Sequence, residues 1–307
     1  MTESAPRAGI LGTHVEMSLS PIIHNAAYQE MGLDLEYVLF QVPEIKDDVE
    51  RQEFLKAYLA EQAASGVVGM SVTMPFKTDL LKCDRVSQGS EQTRNVGSIN
   101  TLSMPDEGIW FPDSTDWQGA MLALTEADVE VSGKTALVLG GGGTAPAVSF
   151  GLAEYNAETV IIANRTKSKA DKIATNLERL YPDIQFLTTR LENGVLPEWA
   201  IRDADIIFNT TNVGQQGKPE EGNSPLGHVM IRKIMAGAAI CDAVYMPINT
   251  PLLEMAAGRG DLTVINGTRM LLYQAVPQVA AFTGQYDVPI EAMDAALQKE
   301  IAQRLAA

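Results

Sequence analysis

The stretch Thr135-Ala136-Leu137-Val138-Leu139-Gly140-Gly141-Gly142-Gly143-Thr144-Ala145-Pro146-Ala147 decides the fold. Residues 136–139 are uniformly apolar and read as a buried strand, which breaks on four glycines and gives way to a helix-forming run beginning near Thr144. Gly140, Gly142 and Ala145 carry the G-x-G-x-x-G/A spacing that turns the chain tightly and lets a pyrophosphate approach the backbone. A helix starting at this point aims unpaired N–H groups at that anion. Pro146 is compatible with such a start, because the N–H it lacks has no partner in a first helical turn. A lone glycine motif is weak. This one is followed by a helical stretch over residues 146–155 and a second strand over 159–163, the βαβ unit that the fingerprint requires.

Working outward, the second strand ends in Asn164-Arg165-Thr166-Lys167-Ser168-Lys169. A dinucleotide site for NAD places a carboxylate there to bind the ribose hydroxyls. None is present. Arg165 offers a planar fork of donors, Asn164 and Thr166 add neutral ones and Lys169 a further cation, so the site reads as selective for a ribose 2′-phosphate, that is, for NADP(H). Further strands are expected at residues 184–187, 204–209, 238–244 and 262–265, with helical segments between them, completing a doubly wound sheet. Thr210, Thr211, Asn212, Val213 and Gly214 follow one of these strands and are placed to line the nicotinamide side, or to form an ordinary polar turn. Residues 215–225 read as a surface loop. Two helices, about 268–283 and 290–305, have no strand after them and are free to pack back on the first part of the chain.

A length of 307 residues suits two domains, and 46% hydrophobic with 20% charged residues is the composition of a globular protein. The formal net charge of −16 argues against nucleic-acid and membrane-surface partners, both of which need a basic footprint. Cys83 and Cys241 have no zinc-site spacing, and the three histidines, His14, His24 and His228, are scattered, so no metal is expected. The N-terminal residues carry no apolar leader and no run reaches membrane-spanning length, so the expected compartment is the cytoplasm.

The first part of the chain holds the remaining polar motifs. Residues 8–12 read as a strand ending on glycine, after which Ser20-Pro21 has the form of a helix N-cap with proline at N1, while Ser18 has no capping role to account for it. A strand over 35–42 and a helix over 50–64 precede Gly69-Met70-Ser71-Val72-Thr73-Met74-Pro75-Phe76-Lys77, in which a strand runs into proline and a helix is expected near Phe76. Lys77 then stands just past a strand end, where open α/β sheets place ligands; a solvated surface lysine is the alternative. Residues 96–102 and 109–116 are expected as two strands around a turn at Pro105-Asp106-Glu107-Gly108. Asp116 is suited to cap the helix that follows, and a cap can also face a ligand.

With these pieces in order, the chain resembles the shikimate dehydrogenase family over nearly its whole length. The resemblance rests on Ser18-Leu19-Ser20-Pro21 with His24-Asn25, on Val72-Thr73-Met74-Pro75-Phe76-Lys77, on Gly97-Ser98-Ile99-Asn100-Thr101 and on Ser114-Thr115-Asp116 with Gly119. The glycine loop, Asn164-Arg165-Thr166, Asp242-Ala243-Val244-Tyr245 with Pro247, and Met270-Leu271 with Gln274-Ala275 complete it. It implies an α/β protein of two domains, a substrate domain (1–115 plus 267–307) and a Rossmann NADP-binding domain (116–266) flanking a cleft. It implies reversible NADPH-dependent reduction of 3-dehydroshikimate to shikimate in aromatic amino-acid biosynthesis, with the small acid as partner and the chain a monomer or homodimer.

Carried over position by position, Lys77 and Asp116 match the catalytic pair. Ser18, Ser20, Thr73, Lys77, Asn100, Asp116 and Gln274 match the substrate-binding residues, with Tyr245 beside them. Gly140, Gly141, Gly142, Gly143, Thr144, Ala145, Asn164, Arg165, Thr166, Lys169, Thr210, Thr211, Val213, Val244, Gly267 and Met270 fall on the cofactor side. The chain departs from the family pattern in having Met17 for histidine, Ser71 and Ser114 for asparagine, and Asn212 for proline. Two amides shortened to hydroxyls beside the substrate residues leave quinate, with an extra hydroxyl and no ring double bond, or for a paralogue another cyclic hydroxy acid, as the competing substrate. A non-catalytic sensor of NADP or a pathway acid is the competing class, and the joint presence of Lys77 and Asp116 argues against it.

Overall fold

The computed structural model describes residues 6–104 and 108–306. Pro105, Asp106 and Glu107 of the expected turn, and residues 1–5 of the segment read for a leader, lie outside the described residues. By internal contacts the chain divides into two units, one made of the residues up to Thr115 and those from Gln274 on, the other of Asp116–Tyr273.

The first unit begins β1 (Arg7–Gly12), α1 (Ser20–Glu30), β2 (Glu36–Gln41), α2 (Asp48–Ala64), β3 (Val67–Val72), α3 (Glu91–Val96), β4 (Thr101–Ser103) and β5 (Phe111–Asp113). Its sheet has the order β2-β1-β3-β4-β5, the first three strands parallel and the last two antiparallel. Helical crossovers are what parallel neighbours require, and α1 and α2 supply them. Asp47 starts α2 by accepting from the Val49 and Glu50 N–H groups at 3.0 and 2.9 Å. Leu55 and Leu59 of that helix pack with Leu11, Met70 and Trp110 in one apolar cluster, and the Trp110 indole N–H is satisfied by the Leu59 carbonyl at 3.1 Å.

Three local expectations are corrected here. The helix begins at Ser20 itself, with Leu19 at the cap position and no side-chain cap, so Ser20 is no cap; its N–H donates to the Ser18 hydroxyl at 3.2 Å, a local contact two residues back. After β3 there is no α-helix at Phe76. The chain turns on i→i+3 bonds from Phe76 N–H to Thr73 and from Asp79 N–H to Phe76, ending in a single 3-10 turn at Leu80–Lys82. Asp79 is held to α2 by Arg51 Nε (2.7 Å) and its carbonyl by Gln52 Nε2 (3.0 Å), which fixes this path instead of a helix. Finally, residues 96–100 are not strand. Ser90 caps α3 through the Thr93 N–H at 3.0 Å, and Gly97, at φ +72°, ends it, a cap-and-glycine pair that the apolar 96–102 run masks.

The second unit contains α4 (Asp116–Glu126), β6 (Thr135–Leu139), α5 (Thr144–Glu154), β7 (Thr159–Asn164), α6 (Lys167–Leu180), β8 (Gln185–Arg190), β9 (Ile206–Asn209), α7 (His228–Ile231), β10 (Ala239–Asp242), α8 (Pro251–Ala257) and β11 (Thr263–Ile265). All six strands are parallel, in the order β11-β10-β9-β6-β7-β8. This is the doubly wound dinucleotide-binding order, whose ligand crevice lies at the carboxyl ends of the central strands. Leu137, Ile161, Ile207 and Ile240 of four adjacent strands join Ile231 and Leu252 of the flanking helices in one core.

The chain returns through α9 (Gly267–Thr283), interrupted by Pro277, and closes with α10 (Ile290–Ala306), which packs on α1. Pro277 withdraws the N–H that would bond the Tyr273 carbonyl, at the point where the two units divide.

Candidate active site

At the carboxyl end of β6 the glycines differ in what surrounds them. Gly140 has φ +120°, and a Cβ there would stand 2.5 Å from Thr210 Oγ1, because the Thr210 side chain and main chain both bond the Leu139 carbonyl (2.7 and 2.8 Å). A Cβ on Gly141 would meet the Asn164 amide at 2.9 Å and the Lys169 stem at 3.1 Å. Gly142 has nothing within 4 Å. The loop is therefore closed on its protein side and open at Gly142, and Gly143 leads into α5 with no side-chain cap on that helix. Open backbone facing an uncapped eleven-residue helix fits a pyrophosphate. Ala145 is fully buried beneath the turn.

At the end of β7, Asn164 Nδ2 donates to the Thr166 carbonyl at 2.9 Å, closing the loop that presents Arg165. Arg165 is 80% exposed and forms an ion pair with Glu220 at 3.7 Å. The loop after β9 is braced from below. Thr211 donates N–H and O–H to Asn209 Oδ1 (3.0 and 2.7 Å), Val213 N–H reaches Thr211 Oγ1 (3.2 Å), and Asn209 Nδ2 donates to Asp242 Oδ1 (2.8 Å). Asp242 also accepts from Val244 N–H at 3.0 Å and from the Thr250 hydroxyl at 2.7 Å. Burial pushes the Asp242 carboxyl up to about 6, although Thr250, Val244 and Asn209 oppose the shift. Gly267 starts α9 against the Asp242 and Ala243 carbonyls, where a Cβ would come within 2.7 Å; Met270, on the same helix, is buried, and Tyr245 is half-buried in the loop after β10.

In the first unit, Asn100 is the centre of a buried polar network. Its Nδ2 donates to Gln274 Oε1 at 3.0 Å and to Thr115 Oγ1 at 2.9 Å, and its Oδ1 accepts from Thr115 N–H (2.7 Å) and the Thr101 hydroxyl (3.1 Å). The Thr115 hydroxyl donates to the Gln274 carbonyl at 2.8 Å. Gln278, one turn further along α9, donates to the Asn100 carbonyl (2.9 Å) and Thr101 Oγ1 (3.0 Å) and accepts from the Ser71 hydroxyl (2.8 Å). Lys77 is buried to 9% exposure in the turn after β3, and its carbonyl accepts from Ile99 N–H at 2.8 Å, next to Asn100.

Asn100 and Gln274 are thus joined directly, and Thr73 and Lys77 share one turn. Ser18 and Ser20 share the entry to α1. Asp116 is buried and opens the second unit immediately after the anchored Thr115. His24 is fully buried and stacks on Tyr37 at 4.0 Å, and burial pushes its pKa down to about 3, with Gln278 opposing. A depression of about 480 Å³ beside α8 and β11, lined by Ile248, Asn249, Leu253, Glu254, Ala257, Val264 and Asn266, contains none of these residues.

Thr115, Gln278, Asn209 and Asp242 escaped the sequence reading as bracing residues. Asp242 stood in a quoted motif without a role, and an ionisable residue ending an apolar strand was its signal. Among the described residues no cluster of three or more His, Cys, Asp or Glu is placed to hold a metal, and no helix is long and apolar enough to cross a membrane.

One unit with a parallel doubly wound sheet and an open glycine turn, and another α/β unit carrying a buried lysine and an amide network, define the class: a two-unit dinucleotide-binding protein. Residues 10–102 match the model of the shikimate dehydrogenase substrate-binding domain, and residues 121–224 match that of shikimate/quinate 5-dehydrogenase. A relative from Haloarcula marismortui, named shikimate dehydrogenase (NADP(+)), is 38% identical over 95% of this chain and 98% of its own. A solved shikimate dehydrogenase in complex with NADP+ is 31% identical, with TM-score 0.80, over 97% of this chain and 96% of its own. The Thermus thermophilus enzyme, in complex with NADP(H) and shikimate, is 29% identical with TM-score 0.78, over 96% and 99%. The chain belongs to the shikimate dehydrogenase family.

Proposed function

We propose that this chain is an NADP-dependent shikimate dehydrogenase that interconverts 3-dehydroshikimate and shikimate, working in the cytoplasm. The observation that carries the reading is the buried Asn100–Gln274 bond, which unites two motif residues 174 positions apart around a polar centre beside the Lys77 turn. The relatives' names and the two solved complexes support the same substrate and cofactor.

In this reading Gly140–Gly143 and the first turn of α5 hold the pyrophosphate. Asn164, Arg165, Thr166 and Lys169 hold the 2′-phosphate end, and Thr210, Thr211, Val213, Val244, Gly267 and Met270 hold the nicotinamide end. NADPH supplies the hydride when bound. Lys77 holds a proton at Nζ for the ketone oxygen, which becomes an alkoxide as its carbon is reduced, and Asp116 is the second residue of the catalytic pair. Ser18, Ser20, Thr73, Asn100, Tyr245 and Gln274 orient the hydroxyls and carboxylate of the substrate. Asn100 is held in place by hydrogen bonds with Thr101, Thr115, Gln274 and Gln278, which occupy both of its Nδ2 hydrogens and its Oδ1, so contact with the substrate exchanges one of them. The substrate domain is proposed as residues 1–115 with 267–307.

The test is a matrix of initial rates with shikimate or quinate and NADP+ or NAD+. The reading expects shikimate with NADP+ to give the largest kcat/KM; a preference for quinate with NAD+ refutes it, and cofactor binding with no turnover of either acid supports a sensor.

A further inference from the structure

The ion pair between Arg165 and Glu220 joins two loops that are not neighbours in the sheet. Arg165 follows β7 and Glu220 belongs to the loop after β9, whereas β6 lies between these strands in the order β9-β6-β7. With adjacent strands about 4.8 Å apart, the loops start roughly 10 Å from each other, separated by the end of β6 and its glycine turn. The segment from Gly214 to Asn223 therefore crosses the edge on which the dinucleotide would lie. Its backbone is fixed: the Glu220 carbonyl accepts from Gly214 N–H (2.9 Å) and Asn223 N–H (3.1 Å), and Gln216 N–H bonds the Met246 carbonyl (3.0 Å). Gly214, at φ +87°, starts the turn. The main chain that carries Glu220 is thus fixed, and its side chain reaches the guanidinium from there.

Resting on the reading of Arg165 as the ligand of the ribose 2′-phosphate, we propose that Glu220 is a specificity-determining residue that competes with that phosphate for Arg165. A carboxylate and a phosphate monoester seek the same planar fork of donors. When the 2′-phosphate takes the fork, Glu220 loses its partner and faces a second anion, so it weakens the grip on NADP(H). A ribose with a free 2′-hydroxyl adds no charge there and leaves the ion pair in place. Glu220 accordingly narrows the preference for NADP over NAD that Arg165 creates. Arg165 and Glu220 are both solvent-accessible, which keeps the effect modest.

The experiment measures binding, independently of turnover, by calorimetry on the full chain with adenosine 2′,5′-bisphosphate and with 5′-AMP. Glu220→Gln is expected to tighten the bisphosphate by about two- to fivefold and to leave 5′-AMP within about twofold. Glu220→Lys should tighten it further. Glu221→Gln removes a neighbouring charge whose carboxylate bonds Gly217 N–H at 2.8 Å, and it should give a smaller gain than Glu220→Gln. Equal gains from both glutamines would mean that only the overall negative field matters and would overturn the proposal. So would an unchanged bisphosphate affinity in Glu220→Gln while Arg165→Ala weakens it. If Arg165→Ala leaves the bisphosphate affinity unchanged, the assignment of Arg165 itself fails and the competition with it.

Discussion

Replacing Gln278 by leucine should show how much of the first unit's stability and substrate affinity rests on one buried amide. Gln278 is fully buried and makes three hydrogen bonds, at 2.8, 2.9 and 3.0 Å, to Ser71, the Asn100 carbonyl and Thr101. Leucine removes all three but does not strand every partner. The Asn100 carbonyl keeps the Val72 N–H at 2.7 Å, and the Thr101 hydroxyl keeps Asn100 Oδ1 at 3.1 Å. The Ser71 hydroxyl is the group that loses its partner in the core. With about 1 kcal/mol net for each of the two bonds lost to partners that keep another, and about 1–3 for the stranded buried hydroxyl, Gln278→Leu should cost about 3–5 kcal/mol. Ser71→Ala in the same background should return about 1–2 kcal/mol, although Ser71→Ala alone should cost about 1. Urea unfolding of the four proteins of this cycle gives the coupling, and KM for shikimate should rise more in Gln278→Leu than KM for NADP+. Additivity of the two substitutions within about 0.3 kcal/mol would refute the reasoning, because independent sites behave that way.

Gly142→Ala should leave the melting temperature unchanged, since a methyl there meets nothing within 4 Å, yet raise KM for NADP+ by about tenfold or more by standing where the pyrophosphate approaches. Gly140→Ala should instead destabilise the protein, through its φ of +120° and the 2.5 Å approach to Thr210 Oγ1; the two melting curves separate the cases. Asp242 provides a pH prediction. Its folded pKa of about 6 lies above the ordinary 3.8, so the native state holds the proton more tightly than the unfolded chain, and this contribution is lost as pH rises through 6. The ionised form then costs about 3 kcal/mol at neutral pH. Asp242→Asn keeps an Oδ1 acceptor and can donate to Thr250, so melting temperatures from about pH 4 to about pH 7 should fall less in the variant than in the parent; parallel profiles would contradict this.

Much of the second unit was legible because its signals are local. Apolar runs of strand length ending on glycine, and helices with alternating burial, require only neighbours in sequence, and β6 through β7 follow the reading within a residue or so. Asn164-Arg165-Thr166 falls at the end of β7, where a local strand signal places it. The first unit hid more. The path after β3 is set by Arg51 and Gln52 of α2 gripping Asp79, and the Ser18–Ser20 contact reverses which serine has the local role. The bracing around Asn100 depends on Gln274 and Gln278, which no window near Asn100 contains. The Arg165–Glu220 pair likewise became visible only with the strand order. What sequence shows is the chemistry of each motif; which motifs share a centre is decided by long-range packing.

The most direct test of the central claim compares shikimate oxidation with NADP+ by the parent protein and by Lys77→Met, with NADP+ affinity measured on both. The parent should form NADPH rapidly. Lys77→Met should lose kcat by about a hundredfold or more at nearly unchanged cofactor affinity, the range expected when a positioned proton donor is removed. An unchanged kcat in Lys77→Met, or no NADP-linked oxidation of shikimate by the parent, would contradict the claim.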